Sequence, residues 1–591
     1  MNDVIFLVID SLMADKVFAK NGSVSITPFL DKIRSESIVA TNLYSQGPFT
    51  EAGTKGLLTA TDTLDDEGYY LRYDKSKLFL TGIFHDLGYE SYSLIYPTCL
   101  YSKWILDKLD GIYYTSGLMF DVFWSQKLAH YAELRKLDEL DDRDIQDCIE
   151  LIDIIFVAWL HSVDPENSQY RILLRPYDTE YDYKKCFDRL SIEKEKFEID
   201  KKSYILDLLD RGLDHPLNNI PSDFIPNFIR NESITKAFSK HKEFQKKLFK
   251  KQYWNNLKNN RIPYQAFFEL PSRIKNGLDI YTFGEFGYLH KTINRGKDLK
   301  TCQIGHRYKL LLSAHTQFEQ VCKLITEKHE KPRFVTAHVE EPHYFTTYFS
   351  YDTDDIDLIN SELDYAEEYV NSIDSKYKGL ISYDLAVRYI DREIERLFQK
   401  LENCGRLQNT TVVITADHGS SYNCYPLRKR IVNNCHTENF HIPLLIYQKG
   451  LQGKSVESLC TSKDIIPTVL DFLGKKIPSS ATGQSILNDL HPYKAVSTEY
   501  MGPGCPDMRR NKACITIRNE NYLLSFEGKL NEEFNEKNIL EIYDLKNDPL
   551  ELNNINKERN HEVLFLISQL RKRFYAIKNN NKAWLSCNLK K

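Results

Sequence analysis

The sequence predicts an α/β fold in which a mostly parallel β-sheet is surrounded by helices. Three continuous apolar runs rich in β-branched residues support this prediction, at residues 4–9, 333–338 and 411–416. Such runs are typical of parallel strands that are buried on both faces. A helical pattern at residues 382–405 lies between the second and third runs, and the order strand, helix, strand is typical of doubly wound sheets.

Each of the three runs is followed at once by residues that can bind a metal or a phosphate group. Asp10 follows the first run, the sequence VEEPH at 339–343 follows the second, and Asp417 with His418 follows the third. Ligands of open α/β sheets collect beyond the carboxyl ends of the strands. We therefore expect these three distant segments to converge on one site.

The segment from about residue 101 to 310 differs from the rest of the chain in composition. It is rich in Lys, Glu, Asp, Tyr and Leu, contains few glycines and shows helical periodicity, which predicts a helical insertion. Within it, residues 238–261 alternate lysines with aromatic residues. A basic amphipathic stretch of this kind can contact an anionic membrane surface or polymer, or it can be a solvated helix whose apolar side packs on the core.

The sequence also predicts a division into two units. Residues 1–490 are expected to form a large domain, interrupted by the insertion, and residues 491–591 a small C-terminal α+β subdomain. In the subdomain, residues 513–526 alternate like a half-buried strand, residues 541–545 indicate another strand, and residues 561–578 have the period of a closing helix.

The composition limits the partners and the cellular compartment that we expect for the protein. The 591 residues carry a formal net charge of −5, which does not favour a nucleic-acid partner. The 12 cysteines show no CxxC pair and no regular spacing, so we expect free thiols in a reducing compartment. The longest apolar runs are too short for a signal peptide or a membrane span, which predicts a cytoplasmic location. The sequence does not indicate an oligomeric state.

Short motifs near both ends of the chain resemble those of one family. They are VIFLVIDSL at 4–12, TPFLDKI at 27–33, LLTA at 57–60, EPH at 341–343, NTTVVITADHG at 409–419, HIPLLIY at 441–447, SKDIIPTVLDFLG at 462–474 and YDLKNDPLELNNI at 543–555. In this order they resemble the sulfatase branch of the alkaline phosphatase superfamily, over residues 1 to about 95 and 330 to about 560. The resemblance implies an alkaline-phosphatase-like three-layer sandwich around the predicted sheet, a hydrolase or transferase activity and a bound divalent metal.

Thr50 occupies the position of the family's nucleophile. In the sulfatase signature a Cys or Ser nucleophile is followed by x-P-S-R and, a few residues later, by L-L-T-G, so counting back from Leu57 reaches Thr50. Residues 52–54 depart from this signature, and a threonine cannot be converted to formylglycine, the nucleophile of sulfatases. Thr50 is instead similar to the metal-bound threonine of phosphoethanolamine transferases and lipoteichoic acid synthases, which is phosphorylated during turnover. Thr54 and Ser45 are alternative nucleophiles.

The resemblance places Asp10, Thr50, Asp417 and His418 around one divalent cation. Two carboxylates, a hydroxyl and an imidazole are ligands that Zn²⁺, Mn²⁺, Mg²⁺ or Ca²⁺ accepts, so the identity of the metal stays open. Coordination to such an ion lowers the pKa of a bound oxygen and would activate the threonine hydroxyl. Sulfatases carry a second Asp directly after the first; Ser11 stands at that position here, which indicates a shell different from the calcium shell of sulfatases.

His343, His436 and Lys55 are the candidates for binding the substrate anion. The EPH motif matches the family's substrate-contacting histidine, and the sequence CHTENFHIPLL resembles its later histidine segment. Positive groups must surround the charged oxygens of the ester, and either histidine could protonate the leaving oxygen. Glu340 or Glu341, together with the two histidines, could hold a second metal ion.

We expect an enzyme that transfers or hydrolyses a phosphate ester, such as a phosphodiester or a phospho-polyol donor used in surface polysaccharide assembly. The substrate is then a small-molecule, glycan or lipid-linked anionic ester. Two alternatives stay open: hydrolysis of a sulfate ester with the same metal, and a non-catalytic descendant that binds an anion or a partner in the same cleft. The complete set of Asp10, Thr50, Asp417 and His418 favours an enzyme, because a chain released from catalysis has no physical reason to keep all four.

Overall fold

A computed structural model of the protein describes residues 2–586 with internal gaps. The gaps are 70–75, 96–102, 115–127, 174–182, 218–231, 249–311, 344–347, 375–379, 421–435, 488–492 and 503–506, together with residues 165, 167–168, 235, 238, 242, 245–246 and 351.

The described residues form strands and helices that are numbered here in chain order. The strands are β1 Asp3–Ile9, β2 Lys20–Asn21, β3 Val24–Ser25, β4 Ser37–Tyr44, β5 Glu90–Ile95, β6 Gly111–Tyr114, β7 Tyr170–Ile172, β8 Arg333–Val339, β9 Thr410–Thr415, β10 His441–Tyr447, β11 Lys454–Val456, β12 Cys460–Thr461, β13 Val496–Tyr500, β14 Ala513–Arg518, β15 Tyr522–Gly528 and β16 Ile539–Asp544. The helices are α1 Pro28–Ile33, α2 Thr50–Thr59, α3 Leu80–Asp86, α4 Lys103–Leu106, α5 Ala129–Lys136, α6 Asp142–Val163, α7 Tyr183–Ile199, α8 Lys201–Arg211, α9 Ala314–Thr326, α10 Ile356–Ser372, α11 Ile381–Asn403, α12 Ile465–Phe472, α13 His561–Asn580 and α14 Lys582–Leu585.

The main sheet has the strand order β11-β4-β10-β9-β1-β8-β5-β6-β7, with β12 also paired to β4. Among these strands only β10 runs antiparallel to its neighbours, β4 and β9. Helices surround the sheet, and the predicted fold class is confirmed.

The three predicted strands lie side by side at the centre of this sheet. Every residue of β1, β8 and β9 is buried, as their continuous apolar sequences predicted. The register pairs Val8 with both His338 and Thr415, so the three strands end at nearly the same level. The segments that follow them therefore leave the sheet at one edge.

The predicted helix at 382–405 is observed as α11. Its apolar residues pack into the core, and it ends before Gly405, whose φ of +67° is in the left-handed region that favours glycine. Asp391 of this helix accepts hydrogen bonds from the amides of Phe29 and Leu30, both at 2.9 Å, and so fixes the start of α1.

The insertion is helical in α5 to α8 but it also contains two strands of the main sheet. The prediction of a purely helical segment at about 101–310 missed β6 and β7, which extend the sheet beyond β5. Strands of three or four residues are too short to show a period of two. Residues 249–311 of the predicted insertion lie outside the described part of the chain.

The described part of the basic stretch 238–261 turns its apolar residues inward. Phe244 and Leu248 are buried in a cluster with Tyr348 and Tyr369. This packing supports the interpretation as a helix whose apolar side lies on the core, and the remainder of the stretch, from 249 on, lies outside the described residues.

The C-terminal residues form an antiparallel sheet in the order β13-β14-β15-β16, packed against α13. The single strand predicted at 513–526 is wrong: it is the hairpin β14–β15. Asn519 makes the turn, because its side chain accepts hydrogen bonds from the amides of Asn521 and Tyr522 at 2.9 and 2.7 Å. The predicted strand at 541–545 and the closing helix are confirmed as β16 and α13.

Across the described ranges, no helix is both long enough and apolar enough to cross a membrane. The six cysteines in these ranges are free thiols.

Candidate metal centre

Asp10, Thr50 and His418 meet at the edge of the sheet where β1 and β9 end. The Thr50 hydroxyl lies 3.3 Å from Asp10 Oδ2 and 3.3 Å from His418 Nε2. His418 Nε2 lies 3.3 Å from Asp10 Oδ1 and 3.7 Å from Asp417 Oδ2. The structure thus brings together the four side chains for which the sequence predicted metal ligation; their role as ligands stays a prediction.

Asp417 is oriented by its own surroundings. Its Oδ1 accepts hydrogen bonds from the amides of Ser11, at 3.2 Å, and His418, at 2.8 Å. Its Oδ2 is buried and accepts no hydrogen bond from the described residues. A buried carboxylate oxygen without a donor is unfavourable in a protein interior. A cation at this point would satisfy it, so the donor set fits a divalent metal.

The loop after β1 is held in an unusual conformation. Ser11 has a φ of +63°, and the Tyr383 hydroxyl donates to Ser11 O at 2.7 Å while it accepts from the amide of Met13 at 3.0 Å. The Ser11 hydroxyl lies 2.8 Å from Asp10 Oδ1 and 2.9 Å from His343 Nδ1. Ser11 therefore links Asp10 to the EPH histidine instead of adding a carboxylate.

Thr50 is the first residue of α2, and the chain packs this helix tightly against the end of β9. A Cβ on Gly53 would come within 2.9 Å of the Asp417 carbonyl carbon and closer still to its oxygen. Glycine at this position therefore lets the helix approach Asp417. The close approach carries the Thr50 hydroxyl to the metal ligands.

The alternative nucleophiles are turned away from the cluster. The Thr54 hydroxyl donates to Thr50 O at 2.6 Å, inside the helix. The Ser45 hydroxyl donates to Asp417 O at 2.5 Å. Of these three hydroxyl groups, the one on Thr50 contacts the Asp10 carboxylate and the His418 ring.

Charges in the centre shift the pKa values of its members in opposite directions. Burial alone would raise the pKa of Asp10, but His343 and His418 outweigh burial and hold it well below its usual range. Burial opposes protonation of His418, yet Asp417 and Asp10 outweigh it and raise the pKa of this ring. Burial, reinforced by the charge of Asp10, raises the pKa of Glu340 well above its usual range. The negative potential of the centre thus attracts positive charge.

His343 stands at the open side of this group. Its Nδ1 lies 3.3 Å from Asp10 Oδ1, and its side chain is 28% exposed, against 2% for Asp10. It is therefore the member of the cluster best placed to contact a substrate from solvent.

His338 belongs to the cluster but was missed by the sequence analysis. Its Nε2 lies 3.6 Å from Asp417 Oδ2 and 3.9 Å from Asp10 Oδ2. Ligands were expected only directly after the strand ends, whereas His338 is inside β8. A histidine within an otherwise apolar strand was the signal that could have found it.

Lys55 lies elsewhere. Its side chain is fully buried, and its ammonium donates to Gly68 O at 3.2 Å and to Ser76 Oγ at 2.7 Å. It therefore ties down the segment after α2, and the structure gives no support to the prediction that it binds the substrate anion.

His436 is paired with a glutamate of the C-terminal segment. Its Nδ1 pairs with Glu551 Oε2 at 2.6 Å, and Glu551 Oε1 accepts from the amide of Thr437 at 3.1 Å. Glu341 is directed elsewhere too, since its Oε1 accepts from the amide of Ala314 at 3.3 Å. Among the described residues, the groups that could hold a metal do not combine Glu340 or Glu341 with His343 and His436, so the predicted second metal site stays a prediction.

Two family models match the chain. The Sulfatase family matches residues 234–475, and the family described as N-sulphoglucosamine sulphohydrolase, C-terminal, matches residues 427–580. Asp417 and His418 lie inside the first match, whereas Asp10 and Thr50 precede both.

Two curated relatives agree with these matches. The N-acetylglucosamine-6-O-sulfatase of Bacteroides thetaiotaomicron is 28% identical over 34% of this chain and 38% of the relative. The multifunctional alkaline phosphatase superfamily protein PehA of Trinickia caryophylli is 32% identical over 20% of this chain and 23% of the relative. The solved phosphonate monoester hydrolase of Agrobacterium radiobacter aligns with a TM-score of 0.46 and 14% identity, over 98% of this chain and 96% of that one.

The sequence alignments span less than two fifths of the length of these two curated relatives. The chain carries a sulfatase domain. Its relatives include sulfatases and a protein of the alkaline phosphatase superfamily, in agreement with the resemblance that the motifs predicted.

Proposed function

We propose that the protein is a metal-dependent hydrolase that cleaves sulfate esters of a glycan, with Thr50 as its nucleophile. The observation that carries this proposal is the position of the Thr50 hydroxyl, 3.3 Å from both Asp10 Oδ2 and His418 Nε2. A bound divalent ion supplies a Lewis acid that lowers the pKa of the hydroxyl and offsets charge on the ester. Asp10, Asp417, His418 and Thr50 would hold it.

The residues of the chain then have separate tasks. The Thr50 hydroxyl donates toward Asp10 Oδ2; on attack its proton leaves to solvent, and solvent later restores the proton that His343 gives to the leaving alcohol. Attack of Thr50 Oγ1 on sulfur forms one S–O bond and breaks the S–O bond to the alcohol. His343, partly exposed and oriented by the Ser11 hydroxyl, is placed to give the departing oxygen its proton. Water then hydrolyses the sulfated threonine and restores the enzyme.

The comparisons favour sulfur over the phosphate ester expected from the sequence. The Sulfatase family model and a relative named N-acetylglucosamine-6-O-sulfatase support a sulfated sugar as the substrate class. The Cys or Ser that becomes formylglycine in sulfatases is replaced, however, by threonine.

Phosphate ester cleavage is the second candidate because of that threonine. A secondary alcohol cannot become an aldehyde, so turnover needs a second attack on the group attached to Thr50 Oγ1. Threonines of related transferases carry a phosphoryl group in this way, and a relative named as multifunctional supports a site that tolerates several esters.

Esters with a common leaving group distinguish the two candidates. The protein is loaded with Zn²⁺ or Mn²⁺ and assayed with p-nitrophenyl sulfate, p-nitrophenyl phosphate and bis-p-nitrophenyl phosphate, which all release p-nitrophenol. N-acetylglucosamine-6-sulfate is assayed separately, by the sulfate released. We expect the highest kcat/KM with a sulfate ester. A clearly higher kcat/KM with either phosphate ester would show that the substrate is a phosphate ester and not a sulfate ester.

Two threonine variants test the nucleophile. Thr50→Ala should lower kcat by about a thousandfold or more, and the mass adduct of the transferred group should disappear while the metal stays bound. Thr54→Ala is the matched control, since the Thr54 hydroxyl lies one helical turn away and donates to Thr50 O, and this variant should keep both the native kcat and the adduct. An adduct that persists in Thr50→Ala would overturn the assignment.

A further inference from the structure

We propose that His338 is a ligand of the metal, and that this second imidazole makes the centre select a transition ion such as Zn²⁺ over Ca²⁺. The inference rests on the proposed function only for the location of the metal. It concerns a residue that none of the family motifs contains.

The register of the sheet places His338 on the face that carries the other ligands. Val8 of β1 pairs with His338 of β8 and with Thr415 of β9. Asp10 and Asp417 follow two residues beyond this row, just past the ends of β1 and β9, and their distances of 3.9 and 3.6 Å to His338 Nε2 show that they meet it on one side of the sheet. His338 therefore lies one row below the two carboxylates and points to the same side of the sheet.

The distances fit shared coordination better than hydrogen bonding. His338 Nε2 is 3.6 Å from Asp417 Oδ2 and 3.9 Å from Asp10 Oδ2, both too long for hydrogen bonds. Neighbouring donors bound at about 2.0–2.2 Å to one ion, at angles of about 90–120°, lie about 2.8–3.8 Å apart; the distance to Asp417 falls in this range, and the distance to Asp10 is about 0.1 Å longer. The three side chains are at most 8% exposed. The nitrogen and the two oxygens therefore face a common, water-excluded point.

A second observation marks that point as a cation site. Asp417 Oδ2 is buried and accepts no hydrogen bond from the described residues. The same oxygen is the one nearest to His338. An ion between them would satisfy the carboxylate and use the imidazole as a donor.

The donor set determines which ion is preferred. With His338 the shell contains two imidazoles beside the two carboxylates and the Thr50 hydroxyl. Calcium takes six to eight oxygen ligands, whereas imidazole suits zinc and other transition ions. Ser11 further removes an oxygen, because its hydroxyl bonds to Asp10 and His343 where a carboxylate would add a ligand.

Metal titrations of the stripped full-length protein test the inference. Calorimetry with Zn²⁺ and Ca²⁺ should give Zn²⁺ a Kd at least about a hundredfold lower, and His338→Ala should raise the Zn²⁺ Kd by about tenfold or more. In the Co²⁺-loaded protein, His338→Ala should lower and shift the visible absorption of the ion. His85→Ala removes an exposed, remote imidazole and should change neither.

Two results would overturn the inference: a Zn²⁺ Kd and a Co²⁺ spectrum unchanged in His338→Ala, or tighter binding of Ca²⁺ than of Zn²⁺ by the native protein. Thermal unfolding of the metal-free variants checks that they fold, and His338→Gln replaces His338→Ala if the smaller side chain does not support folding. Ester cleavage separates this inference from the proposed function. If Zn²⁺ binding weakens in His338→Ala but the native protein cleaves no ester, only the proposed function is refuted. If the native protein cleaves an ester but Zn²⁺ binding is unchanged in His338→Ala, only the role of His338 as a ligand is refuted.

Discussion

Gly53→Ala tests how closely α2 must approach the end of β9. The new Cβ would come within 2.9 Å of the Asp417 carbonyl carbon, closer to its oxygen, and within 3.1 Å of Ser45 Oγ. Ordinary contact begins at 3.4 Å, and backbone atoms cannot rotate away as a side chain can. The helix and the Asp417 segment must therefore separate by roughly 0.5–1 Å, given the tight interior packing.

The expected effect on catalysis is larger than the effect on stability. A displacement of about 1 Å of a reacting group can cost about a hundredfold in rate, so kcat/KM on the best aryl ester should fall by about that factor. Alanine gains about 1 kcal/mol of helix propensity over glycine, while overpacking costs about 1–3 kcal/mol. The free energy of unfolding should therefore fall by no more than about 2 kcal/mol.

Gly82→Ala in α3 is the matched control. It makes the same substitution in a helix, but its Cβ meets only the flexible Lys108 side chain, at 3.2 Å. Ester hydrolysis, metal affinity and urea unfolding are measured on both variants. If Gly53→Ala keeps native kcat/KM and native metal affinity, the claim that Gly53 positions Thr50 against Asp417 is refuted.

Three further predictions follow from other parts of the structure. Lys55→Met should destabilise the fold by about 1–3 kcal/mol in urea unfolding, because the acceptors on Gly68 and Ser76 lose their donor, while KM stays native; a KM raised tenfold or more would restore the anion-binding assignment. Burial opposes protonation of His315, but Glu393 outweighs it and raises its pKa, so its contribution to stability is present below about pH 6.5 and lost as the pH rises through the raised value; His315→Gln should thus destabilise more at pH 5.5 than at pH 9, and equal losses would contradict this. Truncation at residue 490 should give insoluble protein, and a soluble, active product in a solubility assay would show that the C-terminal subdomain is dispensable.

Strand cores and the residues directly after them could be predicted, because burial on both faces leaves a continuous apolar sequence. Asp10, Asp417 and His418 were found in this way, and the parallel order of the strands accounts for their convergence. His338 was not found, since its place inside β8 concealed that it lies on the same face as the ligands.

The prediction that Lys55 binds the substrate anion ignored where its side chain lies around the helix. Five residues along an α-helix correspond to a rotation of about 140° from Thr50, so helical geometry already argued against a shared cleft. Thr54, at about 40°, is on the right face, but its hydroxyl bonds back to the helix carbonyls, as is common for threonine. The pairing of His436 with Glu551 joins residues 115 positions apart and leaves no local signal.

The contacts of the C-terminal sheet bear on how such proteins can be recombined. Arg573 of α13 pairs with Asp65 near the N-terminus, and Glu551 holds His436 together with the amide of Thr437. A chimera that takes its last hundred residues from a relative would therefore lose these pairs, unless the relative carries residues at the same places that can pair with Asp65 and His436. A substitution in one portion of the chain is consequently constrained by its partner in the other, even though the two portions meet at a predicted domain boundary near residue 490.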